Sequence, residues 1–110
     1  MKIKYKNNKL EKSLTNDKEL IKSYGELAKK IKERMNQLFA ADNLSVIALL
    51  PALRLHPYKG NRAGEWAVDI KDNWRIVFEI AQSPIPQKED GGVNLTQITV
   101  IEIVSVEDPH

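Results

Sequence analysis

The sequence predicts an α+β domain with helices covering one side of a small, mainly antiparallel sheet. Three observations lead there. Apolar residues recur three and four apart through the first 40 positions, segments 65–80 alternate apolar and polar, and residues 95–106 form a long β-branched run. The implied order is a strand, then helices, then an antiparallel meander. With 110 residues there is room for one modest core, so 1–110 reads as a single domain. A composition 42% apolar and 29% charged is that of a globular chain rather than a disordered one.

Ile3 and Tyr5 alternate with lysines, which predicts a short half-buried strand. Asn7-Asn8 breaks it, and Leu10 and Leu14 support one or two helical turns. Asn16, with Glu19 three residues on, has the form of a capping box. From there Leu20, Tyr24, Leu27, Ile31, Met35, Leu38 and Phe39 predict one amphipathic helix of about 25 residues, ending near Asp42-Asn43. Ser45 is placed to cap a short turn over Val46–Leu50, which Pro51 limits. Leu53–His56 reads as extended up to Pro57. Trp66, Val68 and Ile70 alternate on one strand, and Trp74, Ile76, Phe78 and Ile80 on the next. Lys71-Asp72-Asn73 forms the hairpin turn between them, with Asp72 and Asn73 suited to left-handed positions. Residues 81–93, with two prolines and two glycines, predict a loop, and Leu95–Val106 the last strand.

Cysteine is absent, which removes disulfides, thiolate metal ligands and a cysteine nucleophile, and accords with a reducing cytoplasm. No apolar run approaches the ~20 residues of a membrane span, and the charged start has no signal-peptide core, so a cytoplasmic protein without membrane contact is expected. The net charge is only +2, but residues 1–40 carry 11 Lys/Arg against 5 Asp/Glu, whereas 41–110 carry 6 against 10. Such polarity fits either an anionic partner or a lysine-rich helix facing water.

There is no glycine-rich phosphate loop, and only two histidines, His56 and His110, so no metal-binding spacing appears. What remains is a polar set in the strand half: His56, Lys59, Arg62 and Arg75, with Asp108 and His110 at the end. Alternation puts Arg75 opposite Trp74, Ile76 and Phe78, on the open face of the sheet. The last strand would return Glu107–His110 to the same region. Imidazoles that serve as acid or base near neutral pH, beside fixed cations, suit RNA cleavage. That reaction needs a base for the 2′-hydroxyl, an acid for the leaving 5′-oxygen, and positive charge on the phosphorane. The same residues also fit ordinary surface ion pairs and a solvated turn.

The stretch Leu55-His56-Pro57-Tyr58-Lys59-Gly60-Asn61-Arg62-Ala63-Gly64-Glu65-Trp66, followed by Asn73-Trp74-Arg75-Ile76-Val77-Phe78, resembles the HigB toxins of the RelE superfamily. Their pattern is LHPLKG, a small basic loop, a G-x-W strand and NWRI-x-F. Glu107-Asp108-Pro109-His110 is similar to the family's EDYH ending. The resemblance is close over the C-terminal half and one of pattern in the helical half. It implies a RelE-like fold, with N-terminal helices packed on a curved, mainly antiparallel sheet. It further implies a type II toxin that cleaves mRNA on the translating ribosome without metal or cofactor. Its partners would be mRNA, the ribosome and a HigA-like helix-turn-helix antitoxin, with operator DNA reached only through the antitoxin complex. Carried across, the catalytic set is His56, Lys59, Arg75, Asp108 and His110. His56 and His110 share the acid–base work in either order, Arg75 and Lys59 hold the phosphate, and Asp108 orients a histidine or the backbone. Arg62, with Lys59 and Arg75, would bind RNA. The terminal tyrosine is Pro109 here, and the 81–93 loop is longer than the family's short turn. A second reading is therefore a homologue that binds antitoxin or RNA without cutting.

Overall fold

The computed structural model describes residues 1–108; the predicted site residue His110, and Pro109 before it, lie outside the described residues. The chain opens with β1 (Lys2–Tyr5), whose Ile3 and Tyr5 turn inward while Lys2 and Lys4 stay exposed. The Asn7 side chain accepts from the Leu10 amide and starts α1 (Asn8–Thr15); Asn16 does the same for Glu19 and starts α2 (Asp17–Tyr24).

The single long helix expected from periodicity is two. At Gly25 the backbone turns to φ +54°, ψ −120°, a conformation that glycine alone adopts without strain. A 3₁₀ turn over Gly25–Leu27 follows, and then α3 (Ala28–Ala40). The break re-aims the second half, so Ile31, Met35 and Leu38 reach the core while Phe39, expected on the apolar face, is 68% exposed. α4 (Leu44–Ala48) is capped by Asn43, not by Ser45: the Asn43 side chain accepts from the Ser45 amide.

Leu53–His56 is not an extended run. Pro51–Leu53 is a 3₁₀ turn, Arg54 is left-handed at φ +41°, and β2 is only His56–Pro57. Pro57 has no amide to continue a ladder, which keeps this edge strand short. β3 (Glu65–Lys71) and β4 (Trp74–Ile80) form the expected hairpin. Lys71 pairs with Trp74, and of the two loop residues only Asp72 takes positive φ. The last strand, β5 (Val100–Glu107), starts later than the β-branched run suggested, because Leu95–Gln97 is a 3₁₀ turn.

The sheet order is β1-β5-β4-β3-β2, antiparallel throughout except for the parallel β1–β5 pair. The core lies between this sheet and the helices. Ile31, Leu38, Leu44 and Ile47 meet Val68, Ile76, Phe78, Ile101 and Ile103, all fully buried. Each such side chain contributes about 1.5–3 kcal/mol of apolar burial. Among the described residues no helix is long and apolar enough to cross a membrane.

Candidate active site

Because side chains alternate, the core face of the sheet fixes what the other face presents. Opposite the helices stand Glu65, Ala67 and Asp69 of β3, Arg75, Val77 and Glu79 of β4, and Ser105 and Glu107 of β5. Asp69 is in register with Arg75, and Arg75 with Glu107. His56 pairs with Ala67 and shares this face, and the Tyr58 amide continues the pairing by donating to the Glu65 carbonyl at 2.8 Å. Ala67 and Val77 are fully buried, although they lie outside the helix-side core.

Arg62 crosses the same face. Its Nε donates to Glu65 Oε1 at 2.7 Å and its Nη1 to Glu107 Oε1 at 2.6 Å, so the guanidinium reaches from β3 to β5 across β4. Its Cζ sits 4.5 Å from the centre of the Tyr58 ring. The hydrogen bond to Glu107, with that to Glu65, raises the arginine above its already high value. In return Arg62, aided by the Ser105 hydroxyl, holds the Glu107 carboxyl below its ordinary value. Arg62, an expected RNA contact, is thus engaged with two carboxylates.

Arg75 is the opposite case. Its Nε is buried with no hydrogen-bond partner, standing 3.6 Å from Asp69 Oδ1, and its Nη1 meets the Tyr58 hydroxyl only at 3.5 Å. Asp69 gives its better contacts to Arg54, at 2.8 and 3.3 Å. A guanidinium has five donors, and this one leaves its fork under-used on a face where an anion could complete it.

Arg54 shapes the neighbouring histidine. Its left-handed backbone turns its carbonyl to His56 Nδ1 at 2.7 Å. A carbonyl only accepts, so Nδ1 carries the proton and Nε2 of the neutral ring is left with a lone pair, the form a general base needs. The His56 and Tyr58 rings meet edge to face, 5.5 Å between centres. From the helix side, buried Arg34 donates its Nε to the Asp69 carbonyl at 2.9 Å, where the β3–β4 register shifts. Asp69 is therefore held through its backbone by one layer while its carboxylate holds two arginines on the other.

The structure brings His56 and Arg75 into one cluster through Tyr58, with Arg62 over the Tyr58 ring. Lys59 is exposed and makes no ion pair or hydrogen bond through its side chain among the described residues. Asp108 follows Glu107 at the end of β5, and His110 lies outside the described residues. Tyr58 and Arg54 were not legible as site residues. The one departure that marks Tyr58 is its place in LHPYKG, where the pattern has leucine; Arg54 carries no sequence signal. Among the described residues no cluster of three or more His, Cys, Asp or Glu side chains is arranged to hold a metal ion.

No family model matches the chain. A stretch of 26 residues is 50% identical to endoribonuclease HigB of Proteus vulgaris, covering 24% of this chain and 28% of that protein. The chain thus matches little more than a quarter of that relative's length. Over the whole fold it is similar to a YoeB/ParE toxin from Agrobacterium tumefaciens, with a TM-score of 0.55 and 14% identity over 100% of both chains. It is also similar to YafQ from E. coli strain BL21(DE3), with a TM-score of 0.58 and 12% identity over 96% of this chain and 90% of that one. At these identities the likeness is one of fold. Helices on one side and a five-stranded sheet whose open face carries His56 and Arg75 make up a fold that this chain shares with the YoeB/ParE toxin and YafQ, and a short stretch of its sequence is shared with endoribonuclease HigB.

Proposed function

We propose that this chain is the toxin of a type II toxin–antitoxin pair, an endoribonuclease that cleaves mRNA on the translating ribosome and is neutralised by a HigA-like antitoxin. The observation that carries the reading is the under-used Arg75 guanidinium beside the Tyr58 hydroxyl, next to a His56 ring whose Nε2 is free to accept a proton. In this reading Arg75 and Tyr58 donate to the non-bridging oxygens of the scissile phosphate. An imidazole takes the 2′-hydroxyl proton, the 2′-oxygen attacks phosphorus, and the bond to the 5′-oxygen breaks as a second group returns a proton to it. The products are a 2′,3′-cyclic phosphate and a free 5′-hydroxyl. His56 and His110 are the proposed proton carriers, Asp108 orients one of them, and Lys59 adds positive charge once RNA is bound. No metal or cofactor is assigned a role.

Primer extension on a reporter mRNA in a reconstituted translation reaction tests this. New ends that a kinase labels without prior phosphatase treatment are expected with the wild type, and none with His56→Ala. The alternative, a homologue that binds antitoxin or RNA without cutting, is favoured by Pro109 in place of the family's tyrosine. It predicts no new ends from the wild type while antitoxin binding persists.

A further inference from the structure

We infer that Arg54 is a positioning residue: by holding the Asp69 carboxylate it keeps that carboxylate from closing on Arg75, and so leaves the Arg75 guanidinium open to the scissile phosphate. This role rests on the ribonuclease reading above and deepens it. Arg75 is flanked in register by two carboxylates, Asp69 on β3 and Glu107 on β5. A partly buried guanidinium beside a carboxylate ordinarily forms a charge-assisted pair with it. Yet among the described residues no hydrogen bond joins Arg75 to either one. Glu107 is taken by Arg62 at 2.6 Å and by the Ser105 hydroxyl. Asp69 gives Oδ2 to Arg54 Nε at 2.8 Å and Oδ1 to Arg54 Nη2 at 3.3 Å, and stands 3.6 Å from Arg75 Nε. Each flanking carboxylate is held by an arginine other than Arg75.

Asp69 is the carboxylate that closes if Arg54 lets go. The Arg75 Nε is buried without a hydrogen bond, and an unmet buried donor gains from any acceptor that reaches it. The move is short: from 3.6 Å, a shift of about 0.8 Å brings Oδ1 to the ~2.8 Å of a charge-assisted bond. Arg34 already fixes the Asp69 carbonyl from the helix side, so rotation of the Asp69 side chain sets which arginine it serves. Of those two arginines Arg54 is the more exposed, 55% against 22%. A phosphate therefore gains more at Arg75, where water screens the charge less.

The backbone offers a way to remove the Arg54 side chain alone. Arg54 stands at φ +41°, ψ +54°, where glycine sits without strain. Arg54→Gly thus deletes the guanidinium and keeps the residue 54 carbonyl on His56 Nδ1. Should that variant melt early, Arg54→Asn takes its place, since asparagine also tolerates a left-handed backbone.

The test follows binding of inorganic phosphate to the full chain by NMR, on the Arg75 Nε–H signal identified by its loss in Arg75→Lys, with a thermal melt of each variant. Arg54→Gly should weaken phosphate binding about tenfold or more, the worth of one hydrogen bond to a charged group. Asp69→Ala should bind at least as tightly as the wild type. Arg54→Gly/Asp69→Ala should return to within about threefold of the wild type, a coupling that independent sites do not show. Arg54→Gly/Asp72→Asn restores the same net charge on the hairpin turn but leaves Asp69 in place, and should stay weak. A double variant as weak as Arg54→Gly overturns the inference and makes Arg54 a direct phosphate contact. Recovery in the Asp72 control overturns it in favour of net charge. Wild-type binding by Arg54→Gly, or a wild-type Arg75 signal that ignores phosphate, also overturns it. The expected binding pattern in a protein that leaves mRNA whole on translating ribosomes supports the role of Arg54 and refutes the nuclease.

Discussion

Replacing Arg75 by alanine should remove activity while leaving the fold in place. The side chain is only 22% exposed, and its Nε has no hydrogen bond and stands 3.6 Å from Asp69 Oδ1. That carboxylate, Asp69, keeps Arg54 at 2.8 Å when Arg75 is gone, so no acidic group is stranded. The stability cost is then the side chain's own packing and a weak ion pair, about 1–2 kcal/mol, a shift of roughly 8 °C or less in Tm. The catalytic cost is larger. A cation about 4 Å from the phosphorane, in an environment of effective dielectric about 20, contributes about 4 kcal/mol. Loss of a preorganised donor at a developing oxyanion typically costs 10²–10³ in rate. Single-turnover cleavage on programmed ribosomes, beside a thermal melt, separates the two. Arg75→Lys should fall between, since an ammonium keeps the charge but loses the fork. An Arg75→Ala rate within threefold of wild type at an unchanged Tm would refute the reasoning.

Three further outcomes are expected. Tyr58→Phe keeps the ring beneath Arg62 and against His56 but removes the hydroxyl facing Arg75; cleavage should slow about tenfold or more with Tm unchanged, read in the same single-turnover assay. Glu107→Gln should lower stability by about 1 kcal/mol at pH 7 and flatten its acid dependence. The Glu107 carboxyl is held below its unfolded value, so its contribution is present above the unfolded pKa of about 4.3 and is lost as pH falls through the folded value, which urea titrations from pH 7 to pH 3 will show. Gly25→Ala should cost about 1–2 kcal/mol in chemical denaturation. No atom lies within 4 Å of the added Cβ, so the cost is that of the backbone at φ +54° alone.

The hairpin was legible because both strands are half-buried and alternate, and the core face they define put Arg75 on the open side without any coordinate. His56 and Arg75 were legible through motif order. The helix break at Gly25 was not, since apolar spacing of three and four continues through it and one glycine costs a helix only about 1 kcal/mol by propensity. The extended reading of Leu53–His56 failed for a related reason. Arg54 adopts a left-handed conformation with its side chain tied to Asp69, a tertiary contact 15 residues away that no local pattern encodes. Tyr58 was hidden by residue type, because an aromatic near a strand edge reads as packing until the distances to Arg75, Arg62 and His56 are known.

Those distances divide the open face into two parts with different electrostatic roles. At the Glu65 end, Arg62 is satisfied by two carboxylates, and its ion pairs hold the 60–62 turn against the end of β5. Without it Glu107 would keep the Ser105 hydroxyl alone, so these ion pairs tie together the two edges of this end of the face. At the Asp69 end, the Asp69 carboxylate faces two guanidiniums close to where Tyr58 and His56 converge. Arg34 fixes the Asp69 backbone from below, so the arrangement is set before any ligand arrives. A phosphate entering there meets donors that need little reorganisation, which is the condition under which fixed charges stabilise a transition state more than they stabilise a hydrated ground state.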